Sequence, residues 1–97
     1  MSGVLVTATR SALSGAERAG FHGVLELAVE EAICSGRKIK RSVDGVAPLG
    51  EQERLVFVTD DLAVRVRKDG RTAGGRRRFC ALRIERLKQH SNRRSNR

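Results

Sequence analysis

Arginine is the residue whose number and spacing most clearly suggest chemistry in this chain. Residues 64–97 hold 13 Lys and Arg against 2 Asp and Glu, whereas residues 1–63 hold 7 against 9. The final third therefore supplies the whole formal net charge of +9. Such an uneven distribution is typical of a protein that contacts a polyanion such as a nucleic acid.

Some of these arginines are expected on one face of a sheet. In the strand-like segment 62–67, Arg65 and Arg67 alternate with two valines. Side chains of a strand alternate between its faces, so the valines are expected toward a covering helix and the arginines toward solvent. The same rule places Arg83, in segment 79–85, on the exposed face. The apolar face of that segment is expected to hold Cys80, Leu82 and Ile84.

An arginine cluster on a rigid sheet is suited to phosphate recognition, because each guanidinium can donate two parallel hydrogen bonds to phosphate oxygens. We therefore predict a nucleic-acid-binding surface. The predicted contacts are Arg65, Arg67, Lys68, Arg71, Arg76, Arg77, Arg78, Arg83 and Arg86. The alternative is a solvated sheet face, on which arginines alternate with valines because one side meets water.

The sequence gives no support for metal, cofactor or thiol chemistry. Cys34 and Cys80 lack zinc-site spacing and lie in apolar segments, so we expect both in the core. The glycine-rich segment 70–75 lacks the Lys-Ser/Thr pair of a P-loop. Three Phe and no Tyr or Trp disfavour a base-stacking platform. We predict neither a metal nor a cofactor.

The apolar segments predict a cytoplasmic protein. None approaches the roughly 20 apolar residues of a membrane span, and the N-terminal stretch lacks the basic region of a signal peptide. We therefore expect no membrane contact and reduced thiols.

The pattern of apolar residues predicts an α+β fold for a single domain of residues 1–90. One or two N-terminal helices are expected to pack on a short three- to four-stranded antiparallel sheet. Residues 91–97 hold no apolar side chain and are expected to form a flexible basic tail.

Two helices are predicted in the N-terminal half. The first is expected around 11–19, with Ser14 and Glu17 as a capping box, or it begins at Gly15. The second is expected over 21–35 with Gly36 after its end. Its apolar stripe is Phe21, Val24, Leu25, Ala28, Ala32 and Ile33. Strands are predicted over 4–7, 39–43, 55–59, 62–67 and 79–85, with Asp60 and Asp61 in a tight turn.

The order of these elements resembles the RelE-like toxin superfamily. The resemblance spans residues 4–87 and includes an N-terminal helical segment at 9–20, A-I-C-S-G at 32–36 and L-A-V-R-V-R-K-D-G at 62–70. It implies helices on a curved sheet whose concave face cleaves RNA without a metal. Arg65, Arg67 and Arg83 would then hold the scissile phosphate, and His90 would assist catalysis. The chain departs from the family in having no tyrosine.

Two functions follow as hypotheses. The first is a small basic RNA-binding protein, either a ribonuclease toxin that inhibits translation or a binder without catalysis. Its expected partners are RNA or the ribosome, together with an acidic, antitoxin-like protein. The second is a non-enzymatic interaction protein, such as a phage-type or accessory factor, that binds a cellular protein through its apolar and acidic N-terminal half.

Overall fold

The computed structural model describes residues 3–36, 39–40 and 45–87, which form two helices and a five-stranded sheet. In chain order the elements are β1 (Val4–Ala8), α1 (Arg10–Arg18), α2 (Leu25–Ser35), β2 (Ile39–Lys40), β3 (Glu53–Phe57), β4 (Leu62–Arg71) and β5 (Arg77–Arg86). The predicted α+β class, with two N-terminal helices on a short sheet, is confirmed.

The sheet is mixed, whereas the sequence predicts an antiparallel sheet of three or four strands. Its order is β1-β5-β4-β3-β2, and the strands from β2 to β5 pair antiparallel. β1 pairs parallel to β5. Local turn signals specify antiparallel hairpins, but β1 reaches its partner only after both helices have carried the chain across the sheet, so no local pattern specifies its direction.

A tight turn joins β3 to β4, as the sequence predicts. The N–H of Val58 donates to the carbonyl of Leu62 at 3.0 Å, and the hydroxyl of Thr59 donates to the Asp61 carboxylate at 3.1 Å. Asp60 lies between them in the same turn. The turn places β4 beside β3, and the other edge of β4 pairs with β5.

The helices cover one face of the sheet. From α2, Leu25, Val29 and Ile33 are buried at helical spacing. Val24 is 55% exposed although the predicted stripe includes it, because the helix begins at Leu25 and not at residue 21. The whole buried cluster is Val4, Val6, Ala12, Ala16, Leu25, Val29, Ile33, Val56, Val64, Val66, Phe79 and Ala81.

Thr9 fixes the start of α1 against β5. Its hydroxyl accepts from the N–H of Ala12 at 3.0 Å and donates to the carbonyl of Leu82 at 2.7 Å. Its own N–H donates to the carbonyl of Ala81 at 2.9 Å. Thr9 is therefore the N-cap, and the capping box predicted at Ser14 is wrong because Ser14 lies inside the helix.

Gly15 allows α1 to lie close to β5. A Cβ at this position would be 3.1 Å from Cγ1 of Ile84, closer than ordinary van der Waals contact. The backbone of α1 at Gly15 therefore packs directly on the side chain of Ile84.

A bulge in β5 changes which of its side chains face the helices. The pairing shifts from Val66↔Ala81 to Arg65↔Arg83, so Leu82 is an extra residue in β5. Phe79 and Ala81 consequently belong to the buried cluster, and the predicted apolar face of Cys80, Leu82 and Ile84 is wrong except for Ile84.

Neither cysteine lies in the core, contrary to prediction. Cys80 is half-buried and lies outside the buried cluster, on the opposite face from Phe79 and Ala81. Cys34 is exposed, because it follows the buried Ile33 by one residue and so falls off the buried stripe of α2.

Candidate nucleic-acid interface

The loop end of the β4–β5 hairpin is rich in exposed cations. We call residues 67–78 the basic hairpin. Its exposed cations are Arg67, Lys68, Arg71, Arg77 and Arg78, whereas Arg76 is half-buried. All six are predicted nucleic-acid contacts. The same stretch of sequence contains one acid, Asp69.

The tip of the basic hairpin extends past the neighbouring strands. On one side, β3 pairs with β4 as far as Arg67, and the N–H of Lys68 donates to the carbonyl of Gln52 at 2.8 Å. On the other side, pairing with the β1 end begins at Arg77, whose N–H donates to the carbonyl of Gly3 at 2.8 Å. Within the described ranges, no strand flanks residues 69–76.

Thr72 holds the turn of the basic hairpin in one conformation. Its hydroxyl oxygen accepts from the N–H of Gly74 at 3.2 Å and from the N–H of Arg76 at 3.1 Å. Its carbonyl accepts from the N–H of Gly75 at 2.9 Å, and its own N–H donates to the carbonyl of Arg76 at 2.8 Å. The cations around the turn thus stand on a hydrogen-bonded scaffold.

Cations project from both faces of the basic hairpin. Lys68 pairs with Phe79, whose side chain is in the core under the helices, so Lys68 projects toward the helix side of the sheet. Arg77 stacks over the Phe79 ring, 5.5 Å from its centroid, and Arg71 pairs directly with Arg77 on that side. Alternation places Arg67 and Arg78 on the opposite face.

Arg71 and Arg77 form a like-charge cross-strand pair. Like charges directly opposite each other destabilise a sheet. The pair Arg65↔Arg83 is also of like charge, but Glu85 accepts hydrogen bonds from both. No salt bridge links Arg71 or Arg77 to a carboxylate of the described residues. Arg71 Nη1 donates to the carbonyl of Gly75 at 2.8 Å and Arg77 lies over Phe79, so neither cation of the pair has a carboxylate partner among the described residues.

Arg65 is buried, which corrects its predicted place on an exposed face. Only 6% of the residue is accessible. Its guanidinium donates to Glu85 at 2.9 Å and to Glu53 at 2.9 Å. It also donates to the carbonyls of Ala47 at 3.0 Å and Pro48 at 3.4 Å. The segment carrying these carbonyls covers the sheet face that alternation alone assigns to solvent, so Arg65 is unavailable to a phosphate.

The Arg65 cluster shifts two pKa values. The backbone N–H of Gly50, donating at 2.9 Å, lowers the pKa of Glu53 most strongly, and Arg65 lowers it further against the opposing effect of burial. Burial acts to lower the pKa of Arg65, but hydrogen bonds and charge from Glu85 and Glu53 outweigh it and raise that pKa. Both shifts favour the ionised pair.

The other predicted site residues lie apart from the basic hairpin. Arg83 has 53% of its side chain exposed, and its Nε donates to Glu85 at 3.1 Å. Arg86 is exposed, with Nη1 at 3.5 Å from the carbonyl of Ala19. Arg76 has a structural contact, since its Nη2 donates to the carbonyl of Val4 at 2.8 Å. His90 and the predicted tail at 91–97 lie outside the described residues.

Glu53 and Glu85, the carboxylate partners of Arg65, are not among the site residues predicted from the sequence. Glu53 precedes the predicted strand 55–59, and Glu85 is the last residue of the predicted strand 79–85. The strands on both sides of Arg65 carry a glutamate close to its register, and this pattern in the sequence indicates possible partners. The sequence does not show that the loop containing Ala47 and Pro48 contacts the Arg65 guanidinium.

The described part of the chain contains no group of three or more His, Cys, Asp or Glu side chains arranged to hold a metal ion. Neither α1 nor α2 is long and apolar enough to cross a membrane.

Comparison of the chain with protein-family models, with characterised proteins and with solved structures finds no match.

Proposed function

We propose that this protein binds RNA through the basic hairpin. The observation that supports the proposal best is the Arg71 and Arg77 pair, which is directly opposed across two strands and has no carboxylate to compensate it among the described residues. The arrangement destabilises the free protein, and a bound polyanion would supply the missing countercharge. RNA is the polyanion that the RelE-like resemblance implies.

Three further features favour this ligand class. The turn around Thr72 is hydrogen-bonded, so the cations are held in place before binding. Guanidinium groups form bidentate hydrogen bonds with phosphate oxygens. The aromatic side chains are three Phe, of which Phe79 is buried, so phosphate contacts rather than base stacking would supply the affinity.

The proposal is tested by measuring RNA affinity as a function of salt. Each lost phosphate contact reduces the slope of log affinity against log salt by about 0.7 to 0.9. We expect Arg71→Gln/Arg77→Gln to weaken binding and to reduce the slope by about 1.4 to 1.8. Arg10→Gln/Arg18→Gln is the matched control, because it removes the same charge from exposed positions of α1. If both variants lose RNA affinity equally, the loss reflects net charge alone and the proposal is contradicted.

A charge reversal separates binding from folding. Arg77→Glu places an opposite charge across from Arg71, and such pairs stabilise a sheet by about 0.2–1 kcal/mol. Loss of the Arg77 contact with Phe79 offsets part of this gain. We expect the variant to be no less stable than the native protein in urea unfolding, yet to lose RNA affinity. If the variant is stable and binds RNA as tightly as the native protein, the basic hairpin is not the RNA-binding site.

RNA cleavage is a separate step within the proposal. Arg65 is not assigned to it, because its guanidinium is already engaged with two carboxylates and two carbonyls. Arg67 and Arg83 are the exposed arginines of the predicted phosphate-holding group, and Arg83 donates from Nε to Glu85 at 3.1 Å. Product formation on a denaturing gel, in the presence of a chelator, tests for cleavage. If cleavage occurs, we expect Arg83→Gln to lower its rate.

A second candidate function is binding of a protein partner through the helical layer. Leu13, Val24 and Leu27 are exposed by 43%, 55% and 60%. The helix carrying Leu27 also carries Glu26, Glu30 and Glu31 and no Lys or Arg, so its surface is apolar and acidic. A partner retained after nuclease treatment and high salt, and lost in Val24→Ser/Leu27→Ser, would support this candidate.

A further inference from the structure

We infer that the RNA bound by the basic hairpin is double-stranded, with the hairpin contacting phosphates of both strands across a groove. The inference rests on the proposed function and adds the form of the RNA. The observation behind it is that exposed cations project from both faces of one two-stranded ribbon.

Each face of the basic hairpin carries exposed cations. On the helix side, Lys68, Arg71 and Arg77 are exposed and lie in direct cross-strand register with residues of the facing strand. On the other side are Arg67 and Arg78, both exposed. A single row of phosphates would follow one face or the other. Two rows of phosphates, such as those that border the groove of a duplex, would neutralise both faces together.

The basic hairpin also has the shape that such an arrangement needs. The major groove of B-form DNA admits a two-stranded β-ribbon, and an RNA duplex offers a wide, shallow minor groove bordered by phosphates and 2′-hydroxyls. Within the described ranges, residues 69–76 have no flanking strand. Gly70, at φ 80°, takes the left-handed backbone conformation in the β4 irregularity between Lys68 and Arg71. The irregularity brings Arg71 opposite Arg77, on the same face as Lys68.

The chemistry of the side chains favours a duplex over an unpaired strand. Proteins that bind unpaired RNA stack its bases on aromatic side chains, whereas duplex RNA is recognised mostly by shape and through phosphate and 2′-hydroxyl contacts. The basic hairpin contains no aromatic residue. Phe79 follows it directly, but the side chain is 6% exposed and Arg77 lies over its ring. Recognition would therefore depend on contacts from arginine and lysine to the phosphate backbone of a duplex.

The test compares three probes at several salt concentrations: a blunt RNA duplex of mixed sequence, one of its strands alone, and the DNA duplex of the same sequence. We expect the RNA duplex to bind at least about tenfold more tightly than the single strand, a difference of about 1.4 kcal/mol. A DNA duplex that binds as well as the RNA duplex also supports the inference, because duplex phosphates are then the recognised group. A single strand that binds as tightly as either duplex overturns it.

Variants of each face test the two-sided contact directly. Arg67→Gln/Arg78→Gln removes two cations from one face, and Arg71→Gln/Arg77→Gln removes two from the other. Each double variant is expected to lower the duplex salt slope by about 1.8. If one variant lowers the slope and the other does not, the ribbon binds through a single face and the inference is wrong.

These measurements distinguish failure of the duplex inference from failure of the proposed function. If both variants weaken single-strand and duplex binding equally, RNA binding by the basic hairpin stands and the duplex inference is overturned. If neither exceeds the α1 control Arg10→Gln/Arg18→Gln, the proposed function fails as well. Thermal unfolding of each variant checks the fold. Should Arg77→Gln unfold through loss of its Phe79 contact, Lys68→Gln/Arg71→Gln replaces it on the same face.

Discussion

Arg65 connects three parts of the chain at the level of a single residue. Its guanidinium donates to Glu53 on β3, to Glu85 on β5, and to the carbonyls of Ala47 and Pro48 in the preceding loop. The charge is buried, but carboxylates and carbonyls satisfy it. A buried arginine in this setting holds a loop to a sheet, and its loss leaves acids without their partner.

Replacing Arg65 is therefore expected to destabilise the fold. For Arg65→Met we predict a loss of about 3–5 kcal/mol in the free energy of unfolding, measured with urea. Arg83→Met is the control, since its side chain is 53% exposed and shares the same Glu85. We expect it to cost at most about 1 kcal/mol. Similar losses in the two variants would show that the buried cluster is not a main source of stability.

Glu53 makes part of this stability depend on pH. Its pKa is lowered from the ordinary value of 4.5, first by the N–H of Gly50 and also by Arg65. A lowered folded-state pKa gives stability that is present above the unfolded value and is lost as the pH falls through the folded value. Native protein should thus lose stability below about pH 4.5 more steeply than Glu53→Gln does.

Urea unfolding at a series of pH values measures this difference. At neutral pH we expect Glu53→Gln to be less stable than the native protein by about 1 kcal/mol, and the gap should close in acid. Glu51→Gln is the control, because Glu51 is an exposed neighbour that lies outside the Arg65 cluster. A gap that stays constant down to acid pH would assign the loss to packing and not to charge.

At the level of elements, Thr9 joins the first helix to the bulge of β5. One hydroxyl caps α1 by accepting from Ala12, and it donates to the carbonyl of Leu82, the extra residue of the bulge. That bulge turns Arg83 away from the helices and keeps Phe79 and Ala81 beneath them. The same small group therefore supports both the helix start and the sheet register.

We predict that Thr9→Val lowers the free energy of unfolding by about 2 kcal/mol, because the isosteric side chain loses the cap and the bond to Leu82. Thr9→Ser retains the hydroxyl and should lose less than about 1 kcal/mol. Thermal or urea unfolding of the pair measures the difference. If the valine and serine variants are equally stable, the hydroxyl does not contribute to the junction.

At the level of the whole molecule, acids and cations are unevenly distributed along the chain. α2 carries acids without Lys or Arg, whereas the basic hairpin, in the second half of the chain, carries six cations and one acid. The formal net charge of +9 adds self-repulsion to the free protein. Salt screens exposed charges much more than buried pairs such as Arg65 with Glu85.

Salt should consequently act in opposite directions on folding and on binding. Raising the salt concentration is expected to increase the thermal unfolding midpoint of the free protein and to release bound RNA. Differential scanning fluorimetry and fluorescence anisotropy on the same samples measure the two responses. In Arg77→Glu the stabilisation by salt should be smaller, since one repulsive pair is gone. Destabilisation of the free native protein by salt would contradict this account.

The sequence by itself determined the elements and the position of the charge. Apolar spacing of three and four specifies α2, valine-rich segments bounded by turn residues specify β3 and β4, and the count of cations locates the basic end. These features depend on near neighbours, so periodicity and turn chemistry reveal them. Five exposed cations of the basic hairpin could be predicted on this basis.

The tertiary structure alone decided which arginines are free. Arg65 and Arg67 have the same alternation in the sequence, yet Arg65 is buried under the loop at Ala47 and Arg67 is exposed. The bulge at Leu82 and the parallel placement of β1 likewise depend on contacts between residues far apart in the chain. Alternation assigns a side chain to a face, but only the packing of distant segments decides whether that face meets solvent or is covered.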